Sequence, residues 1–372
     1  MNKIKIGDFK TTIEQKEVIN IILQSGKITE GDFTKKFETL VKKFLRVKEA
    51  IAVSNGTVAL QLVAYYLKHK MKKETPVVCV PATTFPATVN AFLLTGYKAI
   101  LCDIHEDNLC ININKLTEEE KEKIDVIVPV SLLGYTPNMD KIMEEAKKYK
   151  WIVIEDFAEA FGSVYKGKKI GSIGDFGCSS FFISHVFQGG ELGVITTNNE
   201  KEAGVLRKMK CHGRTGDPLL FNHDIIGSNY KTNEFCTGLA SSQLMDAEEI
   251  IKKRQKIAKI YFEGIKNPNL KPMPTNENYS PLGYPIIANT KEYKEKVCKI
   301  LNESEIETRG MFPCLANQMA YRRQGNVDYL LGKPEKYPIS VDMESRGFYI
   351  GVHHYILPQE AIKVVEIINK IK

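Results

Sequence analysis

A chain of 372 residues, 43% hydrophobic and 26% charged with net charge +7, is ordinary globular material, long enough for two domains of roughly 100–200 residues each. Its lysines are scattered, with only short clusters such as residues 68–73; this fits a solvated surface, argues against nucleic acid as a partner and suits an anionic small substrate. The eight cysteines (79, 102, 110, 178, 211, 236, 298 and 314) form no CxxC pair, the first residues hold no apolar signal core, and no apolar run reaches the ~18 residues of a membrane span, so a metal site and a membrane setting are not expected, and a cytoplasmic location is.

Taken in chain order, the spacing of Ile13, Val18, Ile22 and Leu23 predicts a helix over 12–24, and that of Phe37, Leu40, Val41, Phe44 and Leu45 a second over 34–46. Ala50-Ile51-Ala52-Val53 is a short strand that runs through Ser54-Asn55-Gly56-Thr57 into a helix over 58–67. A glycine lets the backbone turn closely around a ligand, and the free N–H groups of a helix start suit a phosphate. Gly56 and Thr57 are therefore candidate phosphate ligands, with plain helix capping as the alternative. A buried strand over 76–81 leads to Thr83-Thr84-Phe85-Pro86 and a helix ending at Leu94. Phe85, at that junction, can stack on a flat ring or belong to the core.

Strands follow at 98–103 and 126–130, with a charged helix near 123 and an amphipathic helix over 138–148. The apolar strand Trp151-Ile152-Val153-Ile154 ends in Glu155-Asp156, where open α/β sheets bind ligands. Glu159 stands three residues beyond Asp156; acidic residues at a helix start are the plain alternative. After a hairpin-like loop over 165–176 comes CSSFFISHVFQGGELG, residues 178–193. Its run Phe181-Phe182-Ile183 reads as a buried strand, with His185 at its end and no lysine anywhere in the stretch. Taken alone, that histidine reads as structural. A strand at 193–197, a helix at 200–209, a polar loop over 211–235 and a long helix over 236–264 follow. An extended linker at 267–281 precedes strands at 282–287, 305–308 and 347–351, with helices at 292–301 and 358–371. The order predicts a large α/β domain over 1–245 and a smaller α+β domain over 246–372.

Read together and in order, SNGTVAL, PATTFPATVNA, VIEDFAEAFGS, SSFFISH with GGELG, IGSNYKTNE and QEAIKVVEII resemble the sugar aminotransferases of the DegT/DnrJ/StrS family over nearly the whole chain. The resemblance implies the aspartate aminotransferase fold (PLP fold type I) and pyridoxal or pyridoxamine 5'-phosphate as cofactor. It gives Gly56 and Thr57 the phosphate turn, Ser180 a further phosphate contact, Phe85 the stack on the pyridine ring and Asp156 the ring nitrogen. Asn229 matches an asparagine that reaches the partner's cofactor across a homodimer with shared active sites.

Two positions depart from the family pattern. Counting from the Ser–Phe pair, the Schiff-base lysine falls at His185, and Glu159 stands where most of these aminotransferases carry glutamine. Imidazole cannot anchor the cofactor covalently but can still move a proton. The pair resembles the branch that removes the C3 hydroxyl of a nucleotide-linked 4-keto-6-deoxy sugar, GDP-linked 4-keto-6-deoxymannose or a related hexose or heptose. In that branch L-glutamate restores the amine form of the cofactor. Its CDP-sugar members hold an iron–sulfur cluster on cysteines in the loop after the 200–209 helix; residues 213–230 contain none, so no iron–sulfur cluster is expected. Arg309 can hold the glutamate carboxylate or be a surface arginine. Other readings stay open: an aminotransferase using Lys208, Lys210 or Lys231, a non-catalytic homologue, or a lysine-to-histidine change made to trap a complex, against which Glu159 argues.

Overall fold

Along β1 (Glu49–Val53), Ala50 and Ala52 face one way, Ile51 and Val53 the other, and all four are buried. The sheet they belong to must therefore be covered on both sides. The computed structural model describes residues 3–215, 220–322 and 330–372; part of the polar loop expected over 211–235, residues 216–219, lies outside the described residues. The further strands are β2 (Val77–Pro81), β3 (Lys98–Cys102), β4 (Val126–Ile127), β5 (Ile152–Asp156), β6 (Val164–Tyr165), β7 (Lys168–Lys169), β8 (Phe176–Ser180), β9 (Gly193–Thr197), β10 (Leu270–Pro272), β11 (Gly283–Ala288), β12 (Thr308–Gly310), β13 (Leu330–Leu331) and β14 (Gly347–Gly351).

The large sheet runs β1-β9-β8-β5-β4-β2-β3-β13. Only β9 is antiparallel to its neighbours; the pairs from β8 to β13 are parallel. Phe37, Val41 and Leu45 of the helix Asp32–Leu45 cover one face. Leu60, Val63 and Leu67 of the helix Gly56–Met71 cover the other. This arrangement brings the C-terminal ends of β1, β2, β5 and β8 to one edge, and a crevice forms there. A second, antiparallel sheet runs β10-β11-β14-β12. It packs on the helices Ala247–Gly264 and Pro358–Lys370 through Ile257, Tyr261, Val364 and Ile368. No helix among the described residues is long and apolar enough to cross a membrane.

Several local expectations change. Phe181-Phe182-Ile183 is not a strand: β8 ends at Ser180, Phe181 drops into the core against Phe37 and Phe161, and Phe182 and Ile183 are 41% and 40% exposed. An apolar run without a period does not say whether it is strand or turn. The 236–264 helix is two helices, Glu234–Met245 and Ala247–Gly264, broken at Asp246. The 267–281 linker contributes β10, a short strand at the sheet edge, where Pro272 is tolerated. The 126–130 strand shortens to β4, with Pro129 just beyond it, and the strand placed at 305–308 begins only at Thr308. No helix starts at Asp156, so a helix start does not account for its carboxylate.

Candidate active site

The site begins where β1 hands over to a helix. Asn55 caps the helix Gly56–Met71, its side chain accepting from the Val58 N–H at 2.9 Å. The first-turn N–H groups of Gly56 and Thr57 are left for a ligand, at the positive end of the helix dipole. Ser180, the last residue of β8, lies against the same turn: a Cβ on Gly56 would stand 2.7 Å from the Ser180 Cβ. Only glycine permits that approach. Gly193 does the same for the start of β9, where a Cβ would stand 2.3 Å from the Asn55 carbonyl oxygen. Two backbone donors and a hydroxyl around a helix start are the groups that could cradle a phosphate monoester. Gly56→Ala is expected to weaken pyridoxamine phosphate binding about tenfold, about 1.4 kcal/mol; unchanged affinity in equilibrium dialysis would show that this turn is not the cradle.

Asp156 stands at the end of β5. Its Oδ2 accepts from the Thr88 hydroxyl at 2.7 Å and its Oδ1 from the Ala158 N–H at 3.2 Å. Glu159 accepts from the Leu133 N–H at 2.8 Å. Leu133 sits in a tight turn at φ 51°, a conformation unusual for a bulky residue and costing of order 1–3 kcal/mol. Burial pushes both carboxyls up. The hydrogen bonds from Thr88 and Ala158 oppose this at Asp156. At Glu159 burial outweighs the single Leu133 bond, the neighbouring Asp156 charge adds to it, and the group reaches about 8. With two donors against one, hydrogen bonding favours the charged form more at Asp156 than at Glu159, and Glu159 holds its proton at neutral pH. A protonated Glu159 offers one donor and one acceptor, as a glutamine amide would.

His185 lies on the turn after β8, its N–H bonded to the Phe182 carbonyl at 2.9 Å. Its Nδ1 is 3.0 Å from the Ser180 carbonyl oxygen. A carbonyl only accepts, so Nδ1 carries the proton and Nε2 holds the lone pair. Burial pulls the imidazole down to about 4, opposed by the Ser180 bond and assisted by the charge of Arg254. It is a neutral base at physiological pH.

The cavity also has an aromatic wall. Phe85 is 57% exposed and edge-on to Phe312 at 6.3 Å, so it is not a core residue. Phe312 stacks on Tyr349 at 6.0 Å. Arg309, the cross-strand neighbour of Tyr349, is held by Glu307 at 3.2–3.3 Å. A cavity of about 470 Å³ brings together Gly56, Thr57, Phe85, Asp156, Glu159, Ser180, His185 and Arg309. Asn229 does not line it; it is exposed on the 220–233 loop. No lysine lines the cavity among the described residues. Lys208 bonds Asp224, and Lys210 is buried behind β1 on Glu30 and the Ala52 carbonyl. Thr88, Leu133, Phe312 and Tyr349 were not anticipated. Thr88 lies in the PATTFPATVNA stretch, but nothing in one sequence marks any of the four.

A profile of the DegT/DnrJ/EryC1/StrS aminotransferase family matches residues 10–369. The chain is 30% identical over 372 residues to a GDP-perosamine synthase of Escherichia coli O157:H7, covering 100% of this chain and 99% of that protein. It is 28% identical over 361 residues to a dTDP-3-amino-3,6-dideoxy-alpha-D-galactopyranose transaminase of Aneurinibacillus thermoaerophilus, covering 96% and 95%. Among solved structures it is similar to PseC of Helicobacter pylori, an aminotransferase involved in the biosynthesis of pseudoaminic acid (TM-score 0.90, 22% identity, 99% of each chain). It is also similar to the E. coli GDP-4-keto-6-deoxy-D-mannose-3-dehydratase with bound hydrated PLP (TM-score 0.89, 22% identity, 99% of this chain and 100% of that one). The fold is the type I fold of PLP enzymes, as the sequence resemblance implied.

Proposed function

The chain belongs to the DegT/DnrJ/EryC1/StrS aminotransferase family of PLP-dependent sugar-modifying enzymes, and from that premise we propose that it is a C3-dehydratase of a nucleotide-linked 4-keto-6-deoxy sugar, working with non-covalently held pyridoxamine phosphate. One observation carries the reading: His185, at the position to which the family resemblance assigns the anchoring lysine, has its Nε2 lone pair free in a cavity that no described lysine lines.

The residues fit the cofactor. Gly56, Thr57 and Ser180 would hold its phosphate, Phe85 would cover its ring, and Asp156, oriented by Thr88, would keep its ring nitrogen protonated. When bound, the cofactor supplies an amine for the sugar C4 ketone and a ring that accepts an electron pair. His185 takes a proton at Nε2 and, as imidazolium, returns it to the departing C3 hydroxyl. The Ser180 carbonyl keeps the imidazole in the tautomer this requires. Glu159, protonated, donates a hydrogen bond beside Asp156 without adding a second charge. Arg309 binds the carboxylate of L-glutamate, which restores the amine. Overall the sugar loses its C3 oxygen while glutamate becomes 2-oxoglutarate and ammonia. That balance needs neither a separate reductase nor an iron–sulfur cluster. The exposed Asn229 serves the cofactor phosphate of a second copy, so the working unit is a homodimer, acting in the cytoplasm.

A GDP-4-keto-6-deoxymannose-3-dehydratase of the same fold carries a serine–histidine pair, changed in one structure to asparagine–lysine; this chain carries Ser184-His185. A second reading, amino transfer to the same ketone, is favoured by the names of the relatives, a perosamine synthase and a transaminase. It requires a lysine in the cavity as anchor and proton shuttle, and none of the described residues supplies one. The two separate by mass spectrometry of products from GDP- and CDP-linked 4-keto-6-deoxy sugars supplied with glutamate. Loss of one oxygen is expected, most rapidly with a GDP sugar; an amino sugar as the sole product would refute the dehydratase reading.

A further inference from the structure

The turn that carries His185 lies outside regular secondary structure, so its main-chain carbonyls need partners from elsewhere. Two are met by one side chain. Arg254, on the helix Ala247–Gly264, is fully buried. Its Nη2 donates to the carbonyls of His185 at 3.1 Å and Val186 at 3.3 Å. Its Nη1 donates to those of Pro281 at 3.1 Å and Leu282 at 3.5 Å. Leu282 leads into β11 and lines the cavity, as His185 does. One planar fork therefore joins the His185 turn to another wall of the same cavity.

The acceptors are neutral carbonyls, the Nε has no partner among the described residues, and no carboxylate figures among the groups that act on the guanidinium. A buried cation without a counter-charge is unfavourable, and an apolar side chain of similar volume would fill the space at lower cost. Burial brings the guanidinium down to about 9, still charged at neutral pH. Tyr355 faces it, as do two further imidazoles. His353 is 4% exposed with neither ring nitrogen partnered among the described residues, and His354 lies beside it. Burial and the Arg254 charge lower His353 to about 4 and His354 to about 3. Asp8, Lys5 and Lys10 face His353, and Lys253 faces His354. The charge of Arg254 acts on His185, and Asp156, Glu159, Glu191 and Arg309 line the same cavity.

We propose that Arg254 is the positioning residue of His185: its fork fixes the main chain that carries the imidazole, and its charge stands permanently behind the ring. The assignment rests on the reading of His185 as the acid–base group. With a lysine at that position a covalent bond to the cofactor could tether the turn; a histidine forms none, so the turn must be held from the protein side.

The test is an NMR titration of the ¹⁵N-histidine-labelled full chain, with and without pyridoxamine phosphate, in wild type, Arg254→Lys and Arg254→Gln, with His185→Asn identifying the resonance. Wild-type His185 should stay neutral and Nδ1-protonated to about pH 5. Arg254→Gln removes the charge and should raise its midpoint by roughly one unit. Arg254→Lys keeps the charge but not the fork; it should leave the midpoint nearly in place and mix the two tautomers. Both should slow sugar turnover about 100-fold with cofactor affinity within roughly threefold. Lower melting temperatures with an unchanged His185 titration and tautomer would overturn the assignment. If Arg254→Gln does not fold, an unchanged tautomer in Arg254→Lys overturns it alone. A His185 that responds to Arg254 in a protein that makes no 3-deoxy sugar supports the positioning role and sinks the dehydratase reading instead.

Discussion

His185→Asn is expected to keep pyridoxamine phosphate bound and to slow dehydration by roughly 10²–10⁴-fold, the usual worth of a general acid–base group. Asparagine retains a side-chain N–H that can reach the Ser180 carbonyl, 3.0 Å from Nδ1 in the native site, but it has no basic nitrogen. The cradle of Gly56, Thr57 and Ser180 is untouched, so affinity should hold. The pH profile sharpens the test. In the free enzyme His185 loses its base function as pH falls through about 4, because Nε2 becomes protonated. Glu159 loses its donor as pH rises through about 8. The wild-type kcat/KM should therefore fall on both sides, and only the acid limb should vanish in His185→Asn. A variant running at near wild-type rate, or one that keeps the acid limb, would move the proton transfer to another group.

His185→Lys should change the chemistry as well as the rate. It places an amine where the family has one, in a cavity otherwise without a described lysine. The protein should then form a borohydride-reducible bond to pyridoxal phosphate, which the wild type cannot form at this position, since imidazole makes no imine. Dehydration should drop by roughly the same 10²–10⁴-fold, because the lysine competes for the cofactor and the imidazolium proton for the C3 hydroxyl is gone. Glu159 remains, so amino transfer should stay poor. The measurement is the ratio of 3-deoxy to amino sugar with glutamate supplied. Full-rate deoxygenation in the variant would refute the role of His185. A clean switch to amino sugar would show that Glu159 matters less than its position beside Asp156 suggests.

Which parts of this were legible in the sequence follows from the range of the forces involved. The turn from Ser54 into the helix Gly56–Met71, the carboxylates after β5 and the strand Gly193–Thr197 are written locally, in a glycine at a strand end, acidic residues after an apolar run and β-branched residues in succession. Matched stretch by stretch to a family, those signals carried the fold and the expected cofactor, and the absence of a lysine from residues 178–193 is a fact of sequence. The tertiary structure decided what depends on neighbours distant in the chain. Phe181-Phe182-Ile183 looks like one apolar run, yet Phe181 serves the core and Phe182 the cavity, because the partners of each come from other elements. Glu159 is protonated only because burial and the nearby Asp156 charge outweigh the single N–H of a strained Leu133. Arg254 reads in sequence as one more charge on an amphipathic helix; that it is buried, unpaired by any carboxylate among the described residues and bonded to the main chain of His185 follows from packing. Burial and long-range hydrogen bonding set the charge of a group, and a single sequence contains neither.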